Sequence, residues 1–291
     1  MNIIQVYKKY PTQEDCIKHL ELIRWKNKPT CPYCKSINST PMPKEHRYHC
    51  NTCNTSYSVT VGTIFHKTKL DFQKWLLAIS IVLNAKKGIS ARQLARDLEV
   101  NKNTAWYMQM RIRKAMFEDK DLFQGIIEAD ETYIGGKNRN RHNSKKTKGG
   151  QGRNNKDKTP VFGILERGGK IRALKVKDVT SKTLKRIINQ NISGNSIIIT
   201  DDWKSYKNLS YRFEHLIIAH CKGEYVNGIA HTNTLEGFWS LFKRGITGQY
   251  HHVTKKHINK YIDEFCYRYN NRNNKNVFDL TVELALISPE K

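Results

Sequence analysis

GIIEADETYIGG, residues 125–136, is an apolar, β-branched run closed by glycines at both ends, with three acids inside it. That pattern reads as a buried strand, and everything else in the chain can be placed around it. Side chains alternate along a strand, so Asp130 and Glu131 cannot face the same site. Asp130, which follows the run Gly125–Ala129, is taken as the working acid. Glu131 then faces away or supports from behind. Glu128 shares the face of Asp130 and could assist, but it reads better as a solvated or strand-pairing glutamate.

Two further acids stand in comparable settings. NSIIITDDWKSY (195–206) is a second β-branched strand running into Asp201, the first residue after Ile197–Thr200. Asp202 is expected to cap a helix beginning near Trp203. HTNTLEGFWSLFKR (231–244) is amphipathic with helical spacing and carries Glu236. On that helix Asn233 and Lys243 share the face of Glu236, and Phe238, Leu241 and Phe242 pack elsewhere. Taken alone, Glu236 could equally be an ordinary exposed helix glutamate. Three carboxylates delivered by two strands and a helix can hold a pair of Mg²⁺ (or Mn²⁺) ions roughly 4 Å apart, the equipment for in-line displacement at phosphorus. Strands are also expected at 160–165 and 171–176, and helices at Ser181–Asn191, 232–244 and 254–270. The intervening segment 137–158 holds nine Lys or Arg against one Asp and no apolar run. It reads as a loop whose cations, among them Lys145, Lys146, Lys148 and Arg153, track a phosphate backbone, or as a disordered tether.

Toward the N-terminus, Thr12 heads a helix ending at Trp25. Cys31-Pro-Tyr-Cys34 and Cys50-Asn-Thr-Cys53 then leave 15 residues between the pairs. Each CxxC forms a knuckle with two thiolates, and a hairpin brings the knuckles together around one Zn²⁺ with no open position, so the ion serves folding. Ser56–Val61 alternates as a strand. Cys16, Cys221 and Cys266 read as small buried hydrophobes. Residues 69–118 have helical spacing with a break at Lys86–Ile89. Within them GISARQLARDLEVNKNTAWYMQMRIRKAM (88–116) has the form of a helix-turn-helix. Ser90 caps the first helix, and Asn103, Thr104, Tyr107, Arg111 and Arg113 lie on the second, where such motifs meet base edges and phosphates. A plain two-helix packing element remains open for this stretch by itself.

The balance of 51 Lys and Arg against 26 Asp and Glu in 291 residues gives a net charge of +25. Such a chain attracts polyanions, and the phosphorus is expected to belong to DNA. No apolar run approaches the length of a membrane span, and no secretory leader is recognisable, so a cytoplasmic location is expected.

Over nearly its whole length the chain resembles bacterial insertion-sequence transposases of the DDE superfamily, in the subgroup with an N-terminal zinc ribbon. The resemblance is carried by the ribbon with GTIFHKTKL (62–70), ADETYIGGK (129–137), TDDWKSY (200–206), HTNTLEGFWSLFKRGITGQYHHV (231–253) and KHINKYIDEFCYRYNNR (256–272). It implies an α+β multidomain protein: zinc ribbon, helix-turn-helix, and an RNase H-like mixed β-sheet flanked by helices. The implied segments are an N-terminal helical segment 1–28, the ribbon 29–62, a helical DNA-binding region 63–120, a catalytic domain 121–275 and a tail 276–291. The implied triad is Asp130, Asp201 and Glu236, holding two divalent cations. Lys243 and Arg244 would hold a backbone phosphate, and a homodimer would assemble on double-stranded DNA bearing terminal inverted repeats, with target DNA as second substrate. A nuclease or resolvase on the same core, or a regulator without catalysis, are the rival expectations.

Overall fold

The computed structural model describes residues 1–118, 121–136, 142–145, 158–207, 209, 212–219, 226 and 228–287. It divides into two compact units, residues 1–117 with 273–291, and residues 118–272.

The first unit joins the N-terminal 117 residues to the C-terminal segment. After a short helix α1 (Ile3–Lys9), helix α2 (Gln13–Trp25) starts at a capping box in which Thr12 accepts from the Asp15 N–H and Asp15 accepts from the Thr12 N–H. The ribbon is a three-stranded antiparallel sheet of β1 (Ser39–Met42), β2 (Arg47–Cys50) and β3 (Thr55–Tyr57). The strand expected to reach Val61 stops at Tyr57. Arg24 takes the carbonyls of Val59 and Val61 at 2.5 and 2.8 Å, which turns the backbone out of the ladder. Helices α3 (Phe72–Asn84), α4 (Ala91–Asp97) and α5 (Lys102–Ala115) follow. Ser90 caps α4 through the Gln93 N–H and Asn101 caps α5 through the Asn103 N–H, the two helix starts that the helix-turn-helix pattern requires. Glu99 sits in the left-handed region (φ 51°) in the turn between them. The expected tail is in fact a helix, α9 (Val277–Ile287), which packs with α2, α3 and α5 in this unit. Phe278, Val282, Ala285 and Leu286 are buried, and the Ala285 carbonyl accepts from the Ile64 N–H. An apolar helix of this kind must bury its face somewhere, and here the face is used by the N-terminal helices.

The second unit is built on a five-stranded sheet of order β6-β5-β4-β7-β8. Its strands are β4 (Ile126–Ile134), β5 (Thr159–Glu166), β6 (Ile171–Lys175), β7 (Ile197–Asp201) and β8 (Glu214–Ile218), with α6 (Ser181–Asn191) as the crossover between β6 and β7. The first three strands form an antiparallel meander, while β7 and β8 run parallel to β4. This is the mixed RNase H-like order, with the first strand of the unit at the centre. Strand β8 lies in Glu-His-Leu-Ile-Ile, a run too short and too polar at its start to stand out in the sequence. Helices α7 (Asn233–Arg244) and α8 (Ile258–Asn270) complete the unit. Pleat alternation sorts β4 into two faces. Ile127 and Ala129 enter the apolar cluster that includes Phe162, Ile164, Leu184, Ile188 and Tyr206. Glu128 and Asp130 point the other way, toward the side covered by α7.

Among the described residues, no helix is long and apolar enough to cross a membrane.

Candidate active site

The parallel ladder between β4 and β7 pairs Glu128 with Ile199. Two residues farther along each strand stand Asp130, at the middle of β4, and Asp201, the last residue of β7, so the two aspartates are level on neighbouring strands. On its other side Asp130 pairs with Gly163 of β5. That glycine is where α7 comes down on the sheet. A Cβ at Gly163 would meet Trp239 Cζ2 at 2.5 Å, Cη2 at 2.9 Å and Leu235 Cδ1 at 3.2 Å. The helix carrying Glu236 therefore rests beside Asp130 because residue 163 has no side chain.

The electrostatics agree with this geometry. Burial first, then the charges of Glu131, Asp201 and Glu236, push the Asp130 carboxyl up to about 7. Asp130 and Asp201 are half-buried and Glu236 is exposed, so the acids gather at an accessible surface. Each is held. The Asp201 carboxylate accepts from the Trp203 N–H at 3.1 Å, and Glu236 accepts from the Thr232 hydroxyl at 2.9 Å. The helix expected to begin near Trp203 under an Asp202 cap is a 3-10 turn (Lys204–Tyr206) with no side-chain cap, and it is Asp201 that accepts from the Trp203 N–H, two residues on, in an Asx turn. Glu131 is on the opposite face as expected. It is buried and accepts from the Tyr206 hydroxyl at 2.7 Å.

Glu128 overturns its expectation. It is fully buried, and it pairs with Arg167 at 3.1 Å and accepts from the Leu235 N–H at 2.9 Å. Strand alternation gave its face correctly, but nothing local announces that a helix start and an arginine cover it.

The donor set suits hard divalent cations: carboxylate oxygens on two neighbouring strands and on the helix packed over them. It is looser than the cysteine site. Among the described residues, only Cys31, Cys34, Cys50 and Cys53 bring one ligand atom each within 4.8 Å of all the others. Their Sγ atoms lie 3.7 Å apart for Cys31 and Cys53 and 3.5 Å apart for Cys34 and Cys50. Tetrahedral Zn²⁺ with Zn–S near 2.3 Å calls for roughly 3.8 Å between sulfurs, so the residues fit the ion. Cys16 and Cys266 are buried, as expected, and Cys221 lies outside the described residues.

The DNA-contact candidates divide. Asn103 and Tyr107 are exposed on α5 and Thr104 is half-buried beside them. Arg111 and Arg113 are corrected: both are buried, Arg113 completely. Arg111 donates to the carbonyls of Ile64 and His66 and lies 4.3 Å over the Tyr107 ring. They sit on the inner half of the helix with Met108, Ile112 and Ala115, so they serve packing. Lys243 and Arg244 are exposed at the end of α7, with Arg244 bonded back to Ser240. Lys145 ends a short 3-10 turn (Asn143–Lys145), while Lys146, Lys148 and Arg153 lie outside the described residues.

Residues 122–270 match the ISXO2-like transposase domain. The chain belongs to that transposase family. Residues 11–56 match the transposase zinc-ribbon domain, which agrees with the cysteine geometry of this transposase. It is 28% identical over 261 residues to an uncharacterized protein in transposable element ISH50 of Halobacterium salinarum, covering 86% of this chain and 88% of the relative. It is 30% identical over 122 residues to an uncharacterized transposase-like protein of Haemophilus influenzae, covering 40% of this chain and 94% of that one. The crystal structure of a pre-cleavage Mos1 transpososome overlaps it with a TM-score of 0.30 at 14% identity, over 73% of this chain and 78% of that chain. That overlap is too loose to carry a residue correspondence.

Gly163 makes the close approach of α7 testable. Trp239 is buried and cannot swing away, so Gly163→Ala is expected to cost about 1–3 kcal/mol of stability through overpacking. It should also reduce DNA cleavage at least tenfold (roughly 1.4 kcal/mol in the barrier) by lifting Glu236 from Asp130. Thermal unfolding and an end-cleavage assay measure the two effects.

Proposed function

We propose that this DNA transposase works through Asp130, Asp201 and Glu236, which hold two divalent cations (Mg²⁺ or Mn²⁺) at the scissile phosphate. The observation that carries this reading is geometric: Asp130 and Asp201 are level on β4 and β7, and α7, which bears Glu236, packs on Gly163, the β5 partner of Asp130. When bound, the cations would supply charge neutralisation and activation of the attacking oxygen. The residues do the rest. The carboxylates fix the position of the reacting phosphate, and Lys243 and Arg244 are set to hold a neighbouring phosphate of the same strand. In the first displacement a water oxygen bonds to phosphorus at the element end, and the P–O3′ bond breaks to free a 3′-OH. In the second, that 3′-OH bonds to a target phosphorus and displaces the target's own 3′ oxygen, so phosphodiesters are exchanged without a co-reactant. One carboxylate set serves both steps.

Recognition of the ends is assigned to α5, with Asn103, Thr104 and Tyr107 facing the major groove. The basic segment 137–158, including Lys145, Lys146, Lys148 and Arg153, is assigned to sequence-independent phosphate contact. Two protomers would pair two terminal inverted repeats, in the cytoplasm at the nucleoid. Asn103→Ala and Tyr107→Ala are each expected to weaken binding to element ends by about 1–3 kcal/mol, with little change on unrelated DNA. Titration of labelled duplexes at fixed salt measures this.

The decisive experiment incubates labelled element ends, Mg²⁺ and a plasmid target with the purified protein. Cleavage followed by joined product supports the reading. Cleavage without joining makes the protein a nuclease, and sequence-specific binding with neither makes it a regulator.

A further inference from the structure

Helix α7 begins without help from its own cap residue: Thr232 makes no capping hydrogen bond. The N–H of Leu235, in the first turn, is instead taken at 2.9 Å by Glu128 Oε2, from a strand more than a hundred residues earlier. The other oxygen, Oε1, receives Arg167 Nε and Nη2, both at 3.1 Å, with His231 Nδ1 at 3.5 Å. Arg167 extends the tie into the segment that leads to the helix, donating to the carbonyls of Ile229 at 2.7 Å and His231 at 2.9 Å, with His231 Nδ1 at 3.2 Å. Glu128 is fully buried and the Arg167 side chain is 23% exposed. The carboxylate is therefore held on one side by an arginine fork and on the other by a helix N-terminus, a setting that favours negative charge.

We propose that Glu128 and Arg167 form a positioning clamp that sets the axial position of α7, and with it the place of Glu236 opposite Asp130 and Asp201. The clamp grips Leu235, the residue immediately before Glu236. It is rooted in β4 two residues from Asp130, so the first and third acids are tied to one strand through the hydrogen bond between Glu128 and the Leu235 N–H. Neither Glu128 nor Arg167 touches the reacting groups in this arrangement. They act by fixing the geometry of a ligand, as groups behind a metal ligand commonly do. The inference rests on the triad reading above.

The test uses the full-length protein and four variants: Glu128→Ala, Glu128→Gln, Arg167→Ala and Glu236→Gln. Mn²⁺ affinity is read by calorimetry, element-end cleavage by gel, and integrity by thermal unfolding and end-DNA binding. Glu128→Ala and Arg167→Ala are expected to bind end DNA like the parent, to bind Mn²⁺ about 10–100-fold more weakly, and to recover cleavage as Mn²⁺ is raised. Glu128→Gln keeps an acceptor for the Leu235 N–H and should regain most of the lost affinity. Glu236→Gln should lose Mn²⁺ affinity without recovery. Parent-like Mn²⁺ affinity in Glu128→Ala or Arg167→Ala, while Glu236→Gln is impaired, overturns the clamp and leaves the triad standing. Unimpaired Mn²⁺ binding in Glu236→Gln overturns the triad reading itself. If the alanine variants do not fold, Glu128→Gln decides. A modest loss of Mn²⁺ affinity that excess Mn²⁺ restores upholds the clamp, and a loss of stability with unchanged Mn²⁺ affinity reduces the pair to an ordinary buried ion pair.

Discussion

Asp130→Asn, Asp201→Asn and Glu236→Gln are each expected to lower cleavage of a labelled element end by roughly 10³-fold or more, with affinity for that end unchanged. The amides keep the shape and hydrogen-bonding reach of the acids, so the Trp203 N–H and the Thr232 hydroxyl retain their acceptors. What is lost is charge at the point where charge must hold divalent cations against a phosphate. Stability gives the control. Asp130 is crowded by Glu131, Asp201 and Glu236, so Asp130→Asn removes repulsion, and its unfolding temperature in chelator should equal or exceed that of the parent. An inactive protein that is no less stable and still binds DNA can have lost only the chemistry. Cleavage at parental rates in any one variant would remove that residue from the triad, and Glu131 or Asp202 would then be the acid to test.

The positions of these acids were legible because each follows a feature with a local cause. Ile126–Ala129 and Ile197–Thr200 read as buried strands, alternation allows only one of Asp130 and Glu131 to face the site, and Asp130 is the one that directly follows the run. The helix bounds of α6 and α7 follow from spacing alone. What was not legible depends on partners distant in sequence. Arg111 and Arg113 carry the charge of DNA contacts, yet both are buried, and Arg111 is claimed by the carbonyls of Ile64 and His66, more than forty residues away. Glu128 has the same local appearance as any strand glutamate, and the Leu235 N–H that claims it belongs to a helix on the far side of the unit's sequence. Helix α9 has an apolar face with no local partner, so its place among α2, α3 and α5 exists only after the chain has returned to them. Gly163 could have been noticed as a glycine inside a strand, a common sign of close backbone approach, without saying that a tryptophan would be what approaches.

Removing zinc is expected to unfold the ribbon and leave the unit of residues 118–272 folded. The three ribbon strands have four, four and three residues, too few to stand as an independent sheet in water. Cys50 carries a double duty: it is one of the four clustered thiols, and it pairs with Ser39 on one side and Thr55 on the other at the centre of that sheet. Loss of the ion therefore removes both the cross-link and the alignment of all three strands, with about 10–16 kcal/mol of apparent binding energy at stake for a site of this type. The ribbon's aromatic residues provide the readout. Trp25 packs edge-on against Tyr48 and Tyr57 at 5.3 and 5.7 Å, and those two rings stack on each other, so tryptophan emission should shift to longer wavelength as the ribbon opens. Purified protein should carry about one Zn²⁺ per chain. A strong chelator, or Cys50→Ser, should remove it, redden the emission and expose residues 29–62 to protease. The fragment spanning 118–272 should remain resistant, since its core of Ile127, Phe162, Ile164 and Ile188 owes nothing to the cysteines. Protein that lacks zinc as purified, or that keeps its emission and protease resistance after chelation, would show that the four thiols close on no metal and that the ribbon is held by its aromatic packing.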